Sequence, residues 1–121
     1  MAKLITSPTH IKAAGVGKKI IEEYIGKVNS GTGEVSIAHM KSPQGWIEPG
    51  QRPAFDEYTV VLKGTLQVET ETETLQVSAG KAIIATKNEW VRYSSPFEGG
   101  TEYIAVCIPA FSPDAVNRDA E

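Results

Sequence analysis

Glu57 is the residue of this chain best placed to do chemistry. It opens the run Glu57-Tyr58-Thr59-Val60-Val61-Leu62-Lys63-Gly64, and in the two-residue period of a strand it shares a face with Thr59 and Val61. A carboxylate on an apolar face must be hydrogen-bonded, paired, or protonated through a raised pKa. One reading is a general acid or base, poised by burial and facing His39. The other is an ion pair with Arg52 or Arg92. His39 stands in phase with Val35 and Ile37 and turns inward if they do. His10, in the leading segment, is placed away from any pocket. Cys107 is the single cysteine. With no histidine beside it in sequence it reads as a small core residue rather than a nucleophile.

A ferrous, manganese or zinc centre wants two or three imidazoles and a carboxylate. Two histidines far apart in sequence are a thin supply, so no metal and no cofactor are expected. Gly15-Val16-Gly17-Lys18-Lys19 lacks the spacing and the hydroxyl residue of a phosphate-binding loop.

The elements that must hold these residues are short strands. Gly, Pro and Asn recur every few residues, separating runs of about five to nine residues rich in Val, Ile, Thr and Tyr, as in an all-β sandwich or barrel. Strands are predicted near 19–25, 34–40, 58–62, 65–69, 74–77, 82–85, 90–93 and 103–108. The run Glu69-Thr70-Glu71-Thr72-Glu73-Thr74 reads as a wet hairpin whose charges discourage edge pairing. Residues 1–33 read as a strand-bearing arm, 34–113 as the barrel, and 114–121 as a flexible tail.

At 121 residues the chain suits one domain with one core. Its 40% hydrophobic and 22% charged residues exclude a disordered chain, and no apolar run approaches the ~20 residues of a membrane-spanning helix. A net charge of −3 argues against nucleic acid as a partner. The N-terminus leads into no apolar signal segment. With one unpaired cysteine, the expected setting is the reducing cytoplasm.

The Glu57–Gly64 run, followed by Gly80-Lys81-Ala82-Ile83-Ile84-Ala85, resembles the two-motif signature of the cupin superfamily. Gly45, Glu57 and Gly64 fit the first motif, and Gly80 the second. At the histidine positions of the first motif stand Gln51 and Pro53, or Gly50 and Arg52 in the longer spacing; Val91 holds that of the second. Asn88 replaces a glycine and can supply its positive φ. Phe55-Asp56-Glu57 is similar to the cupin of ethanolamine-utilisation operons, which also lacks the histidine pair. The acyl-phosphate or acetate-kinase activity ascribed to that family is not carried over.

The resemblance implies a double-stranded β-helix, a jelly-roll barrel with a pocket at one mouth, and often a homodimer. If Val91 faces inward, so does Tyr93. The candidate ligand-binding set is then Gln51, Phe55, Glu57, Tyr93 and His39, with Glu57, His39 and Tyr93 as candidate proton-transfer groups. The first expectation is metal-independent binding of a small polar or carbohydrate-like molecule. The alternatives are an isomerase, lyase or cyclase using Glu57, and a metalloenzyme with a reduced ligand set. Whether the chain is an enzyme is left open by the sequence.

Overall fold

The computed structural model describes residues 1–119. Nine strands form: β1 Thr9–Ile11, β2 Ile20–Ile25, β3 Ser36–Ser42, β4 Trp46–Ile47, β5 Asp56–Thr70, β6 Thr74–Ser78, β7 Ala82–Ala85, β8 Val91–Ser95 and β9 Thr101–Ile108. All their pairings are antiparallel. One face of the curled sheet runs β1-β2-β3-β9-β5-β7, and the other runs β6-β5-β8-β4.

β5 belongs to both. Its first half, from Asp56 to Gly64, pairs with β9 and part of it with β7; its second half, from Thr65, pairs with β6 and β8. The two strands expected at 58–62 and 65–69 are therefore one continuous strand. Gly64, at φ +73°, turns the chain from one face to the other without ending the ladder, and a register shift lies between Val61 and Lys63. A side chain at Gly64 would collide with the carbonyl oxygen of Gly100.

Alternation sets what faces in. Along β9, Thr101, Tyr103, Ala105 and Cys107 are buried while Glu102, Ile104 and Val106 are partly exposed. Val61, Leu66, Val68, Val77, Val91 and Ala85 pack between the two faces. A second, smaller cluster joins Phe55, Cys107 and Val116, with Phe55 and Phe111 meeting edge-on at 6.0 Å.

Two segments close the barrel. Residues 12–19 lie across β4, where Val16 exchanges backbone hydrogen bonds with Ile47 at 2.8 and 3.1 Å. Gly15, at φ +95°, permits this approach, because a Cβ there would strike Ile47 and Glu48 backbone. The C-terminal segment, expected as a loose tail, is tied down as far as Asp119. Arg52 N–H donates to the Asn117 carbonyl, Asp119 N–H donates to that of Gly50, and Val116 is buried. Residues 120 and 121 of that expectation lie outside the described residues. No helix among the described residues is long and apolar enough to cross a membrane.

Candidate functional site

A cavity of about 60 Å³ opens beside the packed core. That is room for about four waters or a small organic group. Its walls come from β1, β2, β3, β4, β5, β8, β9 and the two straps, and Glu48, Gln51, Glu57, Tyr93, Tyr103 and Lys19 supply its main polar lining.

Glu57 sits opposite Cys107 in the β5–β9 ladder, so both side chains enter the same space. Thr59 Oγ1 donates to Glu57 Oε2 at 3.4 Å, and the Cys107 thiol faces Glu57 Oε1 at 3.8 Å. The residue keeps some exposure over its length, but its carboxyl end is enclosed. Burial raises the Glu57 pKa, against the opposing pull of Lys19 and the hydrogen bonds. Neither Arg52 nor Arg92 pairs with it; they pair with Glu71 and Glu69 across the acidic hairpin. Burial and the Glu57 charge push the Cys107 thiol far up, so it stays protonated.

Glu48 is the second buried carboxyl. It lies one residue past β4, in phase with Trp46, and accepts a hydrogen bond from the Tyr93 backbone. Desolvation lifts its pKa to about 7; the charge of Glu57 adds to the rise, while Lys19 and Arg118 oppose it. Tyr93 is raised well above the usual phenol range by burial and by the two carboxylates. Its hydroxyl therefore remains a donor.

Lys19, just before β2, reaches inward. Its Nζ stands 3.8 Å from the Trp46 ring centroid and 5.1 Å from that of Tyr103, and donates to the Tyr103 hydroxyl at 2.6 Å. Trp46 is held in turn by Nε1 donating to the Ala14 carbonyl at 3.1 Å. Gln51 is fixed by reciprocal backbone bonds with Val91, both 2.9 Å. Its side-chain oxygen is buried with no partner among the described residues.

The structure thus brings Glu57, Gln51, Phe55 and Tyr93 together and leaves His39 out. On β3 it is Ser36, Ala38 and Met40 that line the cavity. His39 points to the outer face, with Nδ1 3.7 Å from Glu22 and Nε2 2.9 Å from Glu102. The inward orientation expected from Val35 and Ile37 is reversed because those apolar residues cover the outside of the sheet. Its candidate roles in proton transfer and ligand binding go with that orientation. Sequence reasoning missed Glu48, Lys19 and Tyr103. The phase of Glu48 with Trp46 was a usable signal; a lysine at a strand start carried none.

A metal of the kind cupins commonly hold does not fit these residues. Gln51 and Pro53, or Gly50 and Arg52, stand at the histidine positions of the first motif, and Val91 at that of the second is packed in the apolar core. Among the described residues no three His, Cys, Asp or Glu side chains gather around a common point. Asn88 does take the positive φ of the glycine it replaces, at 68°.

No family model matches the chain. Over 101 residues, or 84% of its length, it is 38% identical to a protein of Myxococcus xanthus named endoribonuclease YbeY; the chain spans only about a third (34%) of that curated relative. Among solved structures, an ethanolamine utilization protein Q of Salmonella typhimurium matches with a TM-score of 0.67 at 17% identity, covering 86% of this chain and 97% of that one. Polyketide cyclase RemF of Streptomyces resistomycificus matches at 0.76 and 16%, over 100% of this chain and 87% of its own. Oxalate decarboxylase of Bacillus subtilis matches at 0.76 and 14%, over 94% of this chain and 31% of its own. With its two-faced antiparallel sheet, its motif glycines and these neighbours, the chain has the cupin fold, here enclosing a pocket lined by carboxyls, phenols and basic side chains.

Proposed function

We propose that the barrel binds a small polar organic molecule in this cavity without a metal ion. The observation that carries the reading is the Gln51 side-chain oxygen, a buried acceptor with no protein partner beside the cavity. A buried amide oxygen left unpaired costs about 1–3 kcal/mol, which a bound donor removes. Glu48 and Glu57 add acceptors on the same walls, and Phe55, Trp46 and Phe111 add apolar surface for a carbon skeleton.

The test is a thermal-shift screen of small polar organic molecules on chelator-treated protein. Stabilising compounds are expected to lose their effect in Gln51→Leu and to be indifferent to added divalent ions. Stabilisation that appears only with a metal would overturn the reading.

A second reading is favoured by Glu48. A carboxyl with its pKa near 7 can give or take a proton at neutral pH. With Glu57 and the Tyr93 hydroxyl nearby, it suits proton transfer on the bound molecule, as an isomerase, lyase or cyclase would need. The endoribonuclease name belongs to a longer protein, and a carboxylate-lined cavity in a chain of net charge −3 repels a phosphodiester. RNA chemistry is therefore not part of this proposal.

The outer face supports the expected pairing with a second copy. Tyr58, Val60 and Leu62 of β5 stand exposed beside Ile84 of β7 and Ile108 of β9, and Tyr58 directly faces Ile84 and Val106. From strand spacing the patch covers roughly 300 Å², at the lower end of the largest apolar patches that monomers expose, which are often functional. Lys41 and Glu102 border it with both signs of charge, as a self-complementary two-fold contact requires. Light scattering is expected to give twice the 13.1 kDa chain mass, and Val60→Lys is expected to give the monomer. A monomeric wild type would refute the pairing.

A further inference from the structure

We propose that the molecule bound in the barrel is uncharged and carries a hydroxyl, which donates to the Gln51 side-chain oxygen while a short carbon skeleton lies on the apolar lining. The inference rests on the reading that the barrel is a ligand site, and adds the chemical class.

The charges on the lining are already answered. Lys19 is held by Trp46 and Tyr103, and Lys12 and Arg118 are exposed to solvent. Glu23 takes the backbone N–H groups of Val28 and Asn29 at 3.0 and 2.8 Å. Burial shifts Glu48, Glu57 and Tyr93 toward their uncharged forms. An anion placed among them would add to the repulsion that Glu57 already exerts on Glu48. A cation would meet the positive charges of Lys12, Lys19 and Arg118 on the same lining. Either ion would also leave water for an interior that disfavours charge.

What remains unmet is one acceptor and an apolar surface. Gln51 Oε1 is buried with no partner among the described residues. The Gln51 backbone is pinned to Val91 by two bonds of 2.9 Å, which holds the residue at the cavity wall. A hydroxyl supplies the missing donor without a charge, and can accept in return from a protonated carboxyl or the Tyr93 phenol. Met40, Phe55, Ala105 and Phe111 present carbon to the same space. Burying ligand carbon there is worth about fourfold in affinity per methylene. Water can answer Gln51 but gains nothing from that carbon.

The experiment uses the full, metal-free chain at about pH 6, below the Glu48 pKa of about 7. The Trp46 indole N–H and the cavity amides are followed by NMR during titration with sec-butanol and with four probes that each change one feature. Butanone lacks the donor, sec-butylammonium and isobutyrate carry a charge, and ethanol has two carbons fewer. Sec-butanol is expected to give shifts confined to the cavity and to bind about tenfold tighter than each of the others. In Gln51→Leu its advantage over butanone should vanish. Equal or tighter binding of butanone overturns the hydroxyl donor, that of either ion overturns the neutral class, and that of ethanol overturns the apolar seat. Each of these results leaves the barrel as a ligand site. No cavity response to any probe overturns both. The comparison of probes in the wild type stands even if Gln51→Leu fails to fold.

Discussion

Replacing Glu48 by Gln should make the protein more stable at alkaline pH and less stable at acid pH, a reversal that reports directly on the buried carboxyl. Its pKa of about 7 in the fold lies above the ordinary 4.5. The folded state therefore holds a proton that the unfolded chain releases between those values. Below about 4.5 both states are protonated and Glu48 imposes no ionisation penalty. As pH rises through that window the penalty grows, and it is complete above about 7. At roughly 1.4 kcal/mol per pH unit it amounts to about 3 kcal/mol.

Gln carries no such penalty, but it forfeits part of the hydrogen bonding of the protonated carboxyl, about 1 kcal/mol. The variant is thus expected to be about 1 kcal/mol less stable near pH 4.5 and about 2 kcal/mol more stable near pH 8.5. The latter is about 8 °C in Tm for a chain of this size. Urea unfolding of both proteins across that range, at constant ionic strength, measures the difference while cancelling most other titrations. A difference that stays flat with pH, or grows toward acid, would refute the placement of Glu48 as a desolvated acid.

Three further outcomes test the surrounding structure. Cys107, buried and held protonated beside Glu57, should resist alkylation at about pH 8 in the native protein and react fully only in denaturant; ready native labelling would contradict its enclosure. Gly64→Ala forces a side chain into positive φ against the Gly100 carbonyl and should cost about 2 kcal/mol or more in urea unfolding, where a neutral result would show β5 bending elsewhere. Leu66→Ala removes a fully buried side chain at the packed end of the barrel and should cost about 3 kcal/mol without altering ligand response; a changed response would mean that packed core and cavity are coupled.

Particular residues show what could be read from the chain. The strands of β5 through β9 were legible because Val, Ile, Thr and Tyr alternate there between turn residues. β4 was not, since a two-residue strand between Gly45 and Pro49 has no period to detect. The unbroken course of β5 through Gly64 was hidden because glycine reads as a stop unless its positive φ happens to continue the ladder into another sheet. Glu57, Gln51, Phe55 and Tyr93 could be placed from phase and motif spacing.

His39 was misplaced by a rule that holds for solid cores. In β3 the interior is hollow, so the small and flexible Ser36, Ala38 and Met40 face inward, and the β-branched Val35 and Ile37 face out with His39. Lys19 was invisible for a similar reason: a lysine at a strand start reads as surface, and only the cage of Trp46 and Tyr103 from distant strands turns it inward. Among the described residues past 115, the C-terminal strap carries a single buried apolar anchor, Val116, and is held mainly by backbone bonds that composition does not encode.

The most direct measurement is a carbon-13 titration of the Glu48 and Glu57 carboxyls in metal-free protein. A Glu48 carboxyl titrating near 7 is the expected result. A Glu48 carboxyl at the ordinary 4.5 would contradict it.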